Sequence, residues 1–289
     1  SMACTLENCL RRIAEGRVYS MATQLRLSLT DLQTPIRSIL IYNGAGVYGE
    51  SVSKLMRLFG YVSGPWKIRE IGEKEVDPDR WSPAETLFIL PGGKAGEYDM
   101  HLGAQVKKLR KFVEEGGLFF SVCGGSYFAS KQTIYQLSTQ ECLEKTRELG
   151  FFKGVAQGPL IPSHSDDISF HHGALQVRWK DTKRKASVLI SGGGAFIPTE
   201  ESNGYEVLVS YDDPRIPEKL SAAVVKCLVG KGRAILSNLH LGYHASDIDV
   251  PVYEKYFPAH DWKQIVSNLE GTEDFRVQCF ADLLLSLTD

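Results

Sequence analysis

Two uninterrupted apolar runs, each followed at once by small residues, most constrain what this chain can fold into. The first run, Thr86–Leu90, leads directly into Pro91-Gly92-Gly93, and the second, Leu118–Val122, stops at Cys123-Gly124-Gly125. Apolar runs without alternation are typical of strands buried on both faces, as in a parallel sheet. The small residues behind them allow tight turns at the strand ends.

Strand-like and helix-like segments alternate over residues 38–130, which predicts a doubly wound α/β sheet. The other elements expected here are a strand at Ser38–Tyr42, a helix capped by Ser51 and closed by Gly60, a strand near residues 66–71 and a helix from Gly103 to Glu115. A buried strand followed by a helix of this kind is the repeating unit of parallel sheets.

The second half of the chain has a different pattern, with short extended runs separated by turn residues. The expected strands are residues 174–179, 187–190 and 206–209, then a hairpin of residues 222–228 and 234–237 around Gly230-Lys231-Gly232. A short helical turn at residues 252–257 and an amphipathic helix at residues 275–285 are expected to close the chain. We therefore predict an antiparallel extension of the parallel sheet.

Composition excludes several classes of protein. The chain has 289 residues, 43% of them hydrophobic, and a formal net charge of −2. This balance gives no electrostatic reason to expect nucleic acid or a membrane as partner, and no apolar run approaches the length of a membrane-spanning helix. The six cysteines are scattered without a CxxC pair. We therefore expect reduced thiols, no metal ion, no cofactor and a cytoplasmic location.

The N-terminus allows two interpretations. We interpret Ser1, ahead of Met2, as a cloning remnant, residues 1–36 as an N-terminal arm or helix, and residues 37–289 as one domain. Four arginines at positions 11, 12, 17 and 26 make a mitochondrial transit peptide an alternative to such an arm.

The segment Ser121–Tyr127 carries the strongest chemical signal. A strand ending in Cys123 and followed by two glycines is typical of a turn that holds the central residue in a strained, exposed conformation. A helix behind the turn would favour a thiolate, so a nucleophilic Cys123 should have a depressed pKa. The alternative is a structural cysteine above a glycine-rich turn that only lets helix and strand pack.

Other residues could complete a site around this cysteine. In a parallel sheet Pro91-Gly92-Gly93 lies beside Cys123, so the N–H groups of Gly92, Gly93 and Gly124 could form an oxyanion hole; otherwise Pro-Gly-Gly is a simple turn. His240, just past a predicted strand, could be the base, although a lone histidine there is more often structural. Asp247 and Asp249 follow as candidates to orient its ring.

Two further glycine clusters are less informative. Gly44, Gly46 and Gly49 have the spacing of a dinucleotide-binding turn, but no acidic residue ends a clear second strand. The segment Ser191–Ala195 lacks the Lys-Ser/Thr of a phosphate loop, and therefore favours a tight turn or a close backbone approach.

Several motifs in the same order resemble the N-terminal amidotransferase-like domain of eukaryotic biotin–protein ligases. The resemblance runs from about Ile39 to Tyr243 and weakens towards the end of the chain. Its landmarks are Ile41-Tyr42-Asn43-Gly44, Leu90-Pro91-Gly92-Gly93, Cys123-Gly124-Gly125-Ser126-Tyr127-Phe128, Phe151-Phe152-Lys153-Gly154, Gly158-Pro159, Gly192-Gly193-Gly194-Ala195 and the segment from Ala222 to His240. The resemblance implies a flavodoxin-like fold related to class I glutamine amidotransferases, with Cys123 and His240 at the positions of the family's cysteine and histidine.

The sequence departs from that family in two ways. The family's histidine lies in a His-x-Glu motif, whereas this chain has His240-Leu241-Gly242, so the orienting glutamate is absent. The biotin-ligase catalytic domain, with its Gly-Arg-Gly-Arg-type loop, is also missing. The expected function is therefore a regulatory or degenerate amidotransferase-like domain with a Cys123–His240 pair and negligible glutaminase activity. Its expected partners are a small ligand in the cleft and a biotin-ligase catalytic domain or another protein. An active cysteine hydrolase or amidotransferase on a small amide or thioester, or a non-catalytic binding module, remain alternatives.

Overall fold

A computed structural model describes residues 25–138, 140–161, 172–180 and 182–289. The strands are β1 (Leu27–Ser28), β2 (Ser38–Tyr42), β3 (Val62–Ser63), β4 (Lys67–Ile71), β5 (Thr86–Leu90), β6 (Leu118–Val122), β7 (Ser130–Gln136), β8 (Cys142–Thr146), β9 (Phe152–Gly158), β10 (His172–Trp179), β11 (Lys185–Ser191), β12 (Ala195–Ile197), β13 (Tyr205–Tyr211), β14 (Ala222–Val229) and β15 (Gly232–Ser237). The α-helices are α1 (Gly49–Tyr61), α2 (Ala95–Leu102), α3 (Val106–Glu114), α4 (Gly124–Ala129), α5 (Val250–Tyr256), α6 (Trp262–Leu269) and α7 (Glu273–Thr288).

The main sheet has nine strands in the order β11-β10-β13-β14-β15-β6-β5-β2-β4. The five strands from β15 to β4 are parallel to their neighbours, and those from β11 to β15 pair antiparallel. Every residue of β5 and β6 is buried, as expected for strands covered on both faces. The prediction of a flavodoxin-like, doubly wound sheet with an antiparallel extension is confirmed.

Helices on both faces of this sheet bury its apolar side chains. Helix α1 presents Leu55 and Phe59 to the core, and α7 presents Phe280. The ring of Phe280 packs edge-on against Phe59, at a centroid distance of 5.1 Å, and against Phe120 of β6, at 6.0 Å. These contacts fix α1 and α7 beside the strand that ends at Cys123.

A second sheet, which the sequence reading did not include, has the order β12-β9-β7-β8. Its strand β7 begins where α4 ends, so the sheet grows directly out of the turn at Cys123. The segment Ser191–Gly194, called the glycine loop below, leads from β11 of the main sheet to β12 of this second sheet. The glycine loop therefore passes close to the carboxyl end of β6.

Most strand predictions in the first half are confirmed, and so is the helix near residues 103–115, whereas the predicted capping of α1 by Ser51 is wrong. The helix expected from Gly103 to Glu115 is α3, and a turn at Gly103–Gln105 joins it to α2, which was not predicted. Ser51 does not cap α1, because the helix begins at Gly49; its Oγ accepts a hydrogen bond of 2.8 Å from the Gly92 N–H instead. Helix α6 was also missed.

Residues 1–24 of the predicted N-terminal arm or helix lie outside the described residues. In the described part, β1 pairs parallel with β3, and Ile36 is fully buried. The boundary proposed at residue 37 stays a prediction. Within the described ranges, none of the helices has the length and apolar character needed to cross a membrane.

Candidate functional site

Cys123 occupies a strained turn between β6 and α4. Its φ of 47° and ψ of −107° make it the one residue other than glycine with a positive φ among those described. Its N–H donates to the Ser237 carbonyl at 2.7 Å. A Cβ on Gly124 would collide with the Gly93 carbonyl oxygen, and one on Gly125 would lie 2.5 Å from that of Leu90. The two glycines therefore let this turn pack against the end of β5, as the sequence indicated.

The thiol of Cys123 is closed off from solvent. The residue is 8% exposed, and its Sγ–H donates to the Ser191 carbonyl at 3.4 Å. Burial raises the pKa of Cys123 to about 12, although the N–H of Gly124 acts in the opposite direction. The expectation of a depressed pKa is therefore wrong for this structure, because removal from water outweighs the effect of the short helix behind the turn.

Five tyrosines interact electrostatically with Cys123. Burial raises the pKa of each of these phenols, and negative charge on an ionised Cys123 raises it further; they are Tyr48, Tyr98, Tyr127, Tyr135 and Tyr211. The rings of Tyr127 and Tyr135 pack edge-to-face at 5.4 Å. Tyr48 is about half exposed. The surroundings of the thiol are thus rich in hydroxyl groups.

The glycine loop covers the thiol, and three of its carbonyl groups accept hydrogen bonds. The Tyr127 hydroxyl donates to Gly192 at 3.0 Å, the Leu160 N–H to Gly193 at 3.1 Å, and the Tyr211 hydroxyl to Gly194 at 2.6 Å. Gly192 has a φ of +70°, which explains glycine at that position. The expectation of a tight turn with close backbone approach is confirmed.

His240 also interacts with the start of the glycine loop, at Ser191. Its backbone N–H donates to the Leu189 carbonyl at 3.2 Å. Burial lowers the pKa of the His240 ring to about 4, and a hydrogen bond to the Ser191 backbone opposes that shift. Cys123 and His240 therefore both interact with Ser191. Within the described residues no hydrogen bond joins the Cys123 sulfur to the His240 ring, and the His240 Nε2 is buried without a partner. The catalytic pairing of the two stays a prediction.

Both candidate orienting carboxylates are engaged elsewhere. Arg57 donates two hydrogen bonds to Asp247, at 2.5 and 2.8 Å, and the His244 N–H donates a third at 2.7 Å. Burial alone would raise the pKa of Asp247, but these bonds lower it to about 2. Asp249 caps α5 by accepting from the Val252 N–H at 3.2 Å. Neither carboxylate bonds to the His240 ring in the part of the chain that the structure describes.

The loop after His240 is instead fastened to α1. Besides its ion pair with Asp247, Arg57 donates to the Gly242 carbonyl at 3.0 Å. The Tyr243 hydroxyl donates to Glu50 at 2.7 Å, and its ring packs edge-on against the His240 ring at 5.8 Å. The loop that follows His240 is thus anchored to α1, and from that loop the Tyr243 ring contacts the His240 ring.

The three glycines expected to form an oxyanion hole lie close together, but their backbone groups make different contacts. The Gly92 N–H is engaged by the Ser51 hydroxyl, so Ser51 would have to move before this group could bind an oxyanion. The Gly124 N–H interacts with the Cys123 sulfur. Gly93 lies directly against Gly124. Their role as donors stays a prediction.

Sequence reasoning missed one residue of this region, Asn238. Its side chain is fully buried, and neither Oδ1 nor Nδ2 has a hydrogen-bond partner among the described residues. A signal was available, because an asparagine between an apolar strand and His240 is unusual for a segment that becomes buried. No group of three or more His, Cys, Asp or Glu side chains in the described ranges could hold a metal ion.

Comparison with known proteins places these features in context. The family described as "Biotin-protein ligase, N terminal" matches residues 37–288. A biotin–protein ligase of Schizosaccharomyces pombe is 25% identical over 225 residues, which are 72% of this chain and 34% of that protein. An uncharacterised protein of Chlamydia muridarum is 26% identical over 260 residues, 88% of this chain and 98% of that protein. The chain therefore spans about a third of the ligase and nearly all of the bacterial protein.

Among solved structures, a glutamine amidotransferase from Thermotoga maritima is similar in fold. It superimposes with a TM-score of 0.53 at 14% sequence identity, covering 88% of this chain and 98% of that chain. The fold is thus that of the class I glutamine amidotransferases.

Proposed function

Because this chain belongs to the family described as biotin-protein ligase, N terminal, we propose that it is a regulatory, ligand-binding amidotransferase-like domain with a Cys123–His240 pair in its cleft. The observation that carries the proposal is the hydrogen bond from the Cys123 thiol to the Ser191 carbonyl, under the glycine loop. With its pKa raised to about 12, this thiol is protonated at neutral pH and is a poor nucleophile.

The histidine supports the same conclusion. A general base works best with a pKa near the operating pH, and burial lowers that of His240 to about 4. No carboxylate among the described residues bonds to its ring, and loss of the orienting carboxylate of a triad costs orders of magnitude in rate. This combination argues against ordinary glutaminase turnover.

The expected partner is a biotin-ligase catalytic domain carried on another chain or on another part of the same protein. The relative from Schizosaccharomyces pombe is named a biotin–protein ligase, and the aligned segment is 34% of its length. In the proposal, ligand binding in the Cys123 cleft moves the glycine loop, and that movement is passed to the partner.

A second candidate is an active cysteine hydrolase or amidotransferase on a small amide or thioester. The positive φ of Cys123 favours it, because backbone strain concentrates at functional sites and a structural turn needs no sulfur. In this case the glycine loop would open when substrate binds, and opening would bring the pKa of the thiol down.

The two candidates differ in turnover. Ammonia release from L-glutamine and thiol release from a small acyl thioester should be measured on the purified chain, the Cys123→Ser variant and the His240→Ala variant. The regulatory proposal predicts equal, background rates for all three proteins. Release that depends on Cys123, at the roughly 1 to 10³ per second of ordinary enzymes, would establish the hydrolase.

A further inference from the structure

The carboxamide of Asn238 is fully buried at the end of β15. Both Oδ1 and Nδ2 lack partners in the described part of the structure. Most buried side-chain polar atoms in proteins are hydrogen-bonded, and an unpaired one carries its full desolvation penalty. Two such atoms on one side chain indicate a group that finds its partners in another state of the site.

The position of Asn238 relates it to the thiol. The preceding residue, Ser237, accepts the N–H of Cys123. A Cβ on Gly193 would lie 3.4 Å from the Asn238 Cβ, so the base of this side chain packs against the glycine loop. His240, two residues on, has an unpaired buried Nε2 of its own. In the described part of the chain, the segment that packs against the glycine loop therefore carries three buried polar atoms without partners.

The chemistry of a carboxamide defines what would satisfy it. The Asn238 side chain offers an acceptor oxygen next to a donor nitrogen, and its natural complement is a group with a donor N–H next to an acceptor C=O. That group is another amide. We propose that Asn238 binds the amide group of the cleft ligand once the glycine loop has moved off Cys123. The proposal rests on the proposed function, since it names the ligand class of the same cleft.

Two small thiol reagents of different chemistry test this. Iodoacetamide carries a primary amide, and methyl methanethiosulfonate carries none. The rate of each at Cys123 is divided by its rate at Cys142, an exposed thiol of the same protein, using peptide mass mapping. The ratio of the two normalised rates reports the preference for the amide reagent.

Asn238→Leu removes both polar atoms, and Asn238→Asp keeps the size but cannot donate. Asn268→Leu, on α6, is the matched control.

The expected result is a preference for iodoacetamide that falls about tenfold in Asn238→Leu, as for the loss of two hydrogen bonds. The preference for iodoacetamide should fall by a similar factor in Asn238→Asp. It should be unchanged in Asn268→Leu. An unchanged ratio in a folded Asn238 variant would overturn the proposal and assign buried water as the partner.

If labelling is too slow to follow, the rise in melting temperature with acetamide should be larger in the wild type than in Asn238→Leu. Equal rises would overturn the proposal as well. Neither result depends on turnover, so this failure is distinct from that of the proposed function.

Discussion

The backbone of Gly242 packs so tightly on α1 that a Cβ there would lie 2.5 Å from the carbonyl oxygen of Lys54. Real Cβ atoms do not approach an oxygen this closely without displacing the backbone. The resemblance to the amidotransferase pattern implies that Gly242 takes the position of the glutamate that orients the histidine. At this position the packing requires a residue without a side chain.

Gly242→Glu should therefore destabilise the protein without creating a glutaminase. We expect the free energy of unfolding to fall by about 2 kcal/mol or more, as in other overpacked sites. Gly60→Ala in α1 is the matched control, because nothing lies within 4 Å of its Cβ position. It should be neutral or slightly stabilising. Urea unfolding measures both, and a stable Gly242→Glu variant that releases ammonia from glutamine would contradict this account.

Loosening the glycine loop should expose the thiol. Tyr127→Phe removes the hydroxyl that holds the Gly192 carbonyl, and one hydrogen bond of ordinary strength corresponds to about a fivefold change in the population of an open loop. Alkylation of Cys123 should speed up by about that factor. Tyr256→Phe, on the exposed surface of α5, should leave the rate unchanged. Equal rates in the two variants would show that the loop does not limit access.

His240 should make the protein less stable in mild acid. Its pKa is lowered from 6.5 to about 4, so the unfolded chain binds the proton more readily between these values. Stability is fully present above about pH 6.5 and falls as the pH drops to about 4, by at most about 3 kcal/mol. His240→Gln should remove this part of the slope. Because the pKa of His244 is also lowered, part of the loss of stability in acid should remain in this variant. A pH series of unfolding curves that is unchanged in His240→Gln would contradict the buried, neutral ring.

The ion pair between Arg57 and Asp247 should affect the pH dependence of stability below pH 3.8. The pKa of Asp247 is lowered from 3.8 to about 2, so its stabilising contribution is present above pH 3.8 and lost as the pH falls towards 2. The size of that contribution is about 2 kcal/mol. Arg57→Gln should reduce it and lower the stability at neutral pH. Arg69→Gln, which breaks an exposed ion pair with Glu75, is the control and should change little.

The sequence was most informative where burial on both faces leaves a simple pattern. The strands Thr86–Leu90 and Leu118–Val122 have no polar residue except at one position each, and their predicted bounds agree with β5 and β6. The hairpin of β14 and β15 followed from its glycine turn, and Gly230 has the positive φ such a turn needs. Cys123 was placed at the end of β6 for the same local reasons.

The features that were missed depend on contacts between distant segments. Strand β8 is exposed along its length, so its sequence has no apolar alternation to reveal it. The pKa of Cys123 depends on a loop 68 residues further along the chain, and local sequence indicates only the helix behind the turn. The close approach of Gly242 to Lys54 joins segments that no motif connects.

The central claim is that Cys123 is a protonated thiol closed by the Ser191 carbonyl, and its titration tests this most directly. Thiolate absorbance in the ultraviolet should be followed against pH for the wild type and Cys123→Ser, and the difference between the two curves assigned to Cys123. Cys123 should form no thiolate up to at least about pH 9, whereas an ordinary cysteine is already partly ionised at that pH. One equivalent of thiolate that forms below about pH 7 and disappears in His240→Ala would contradict it and identify a working catalytic pair.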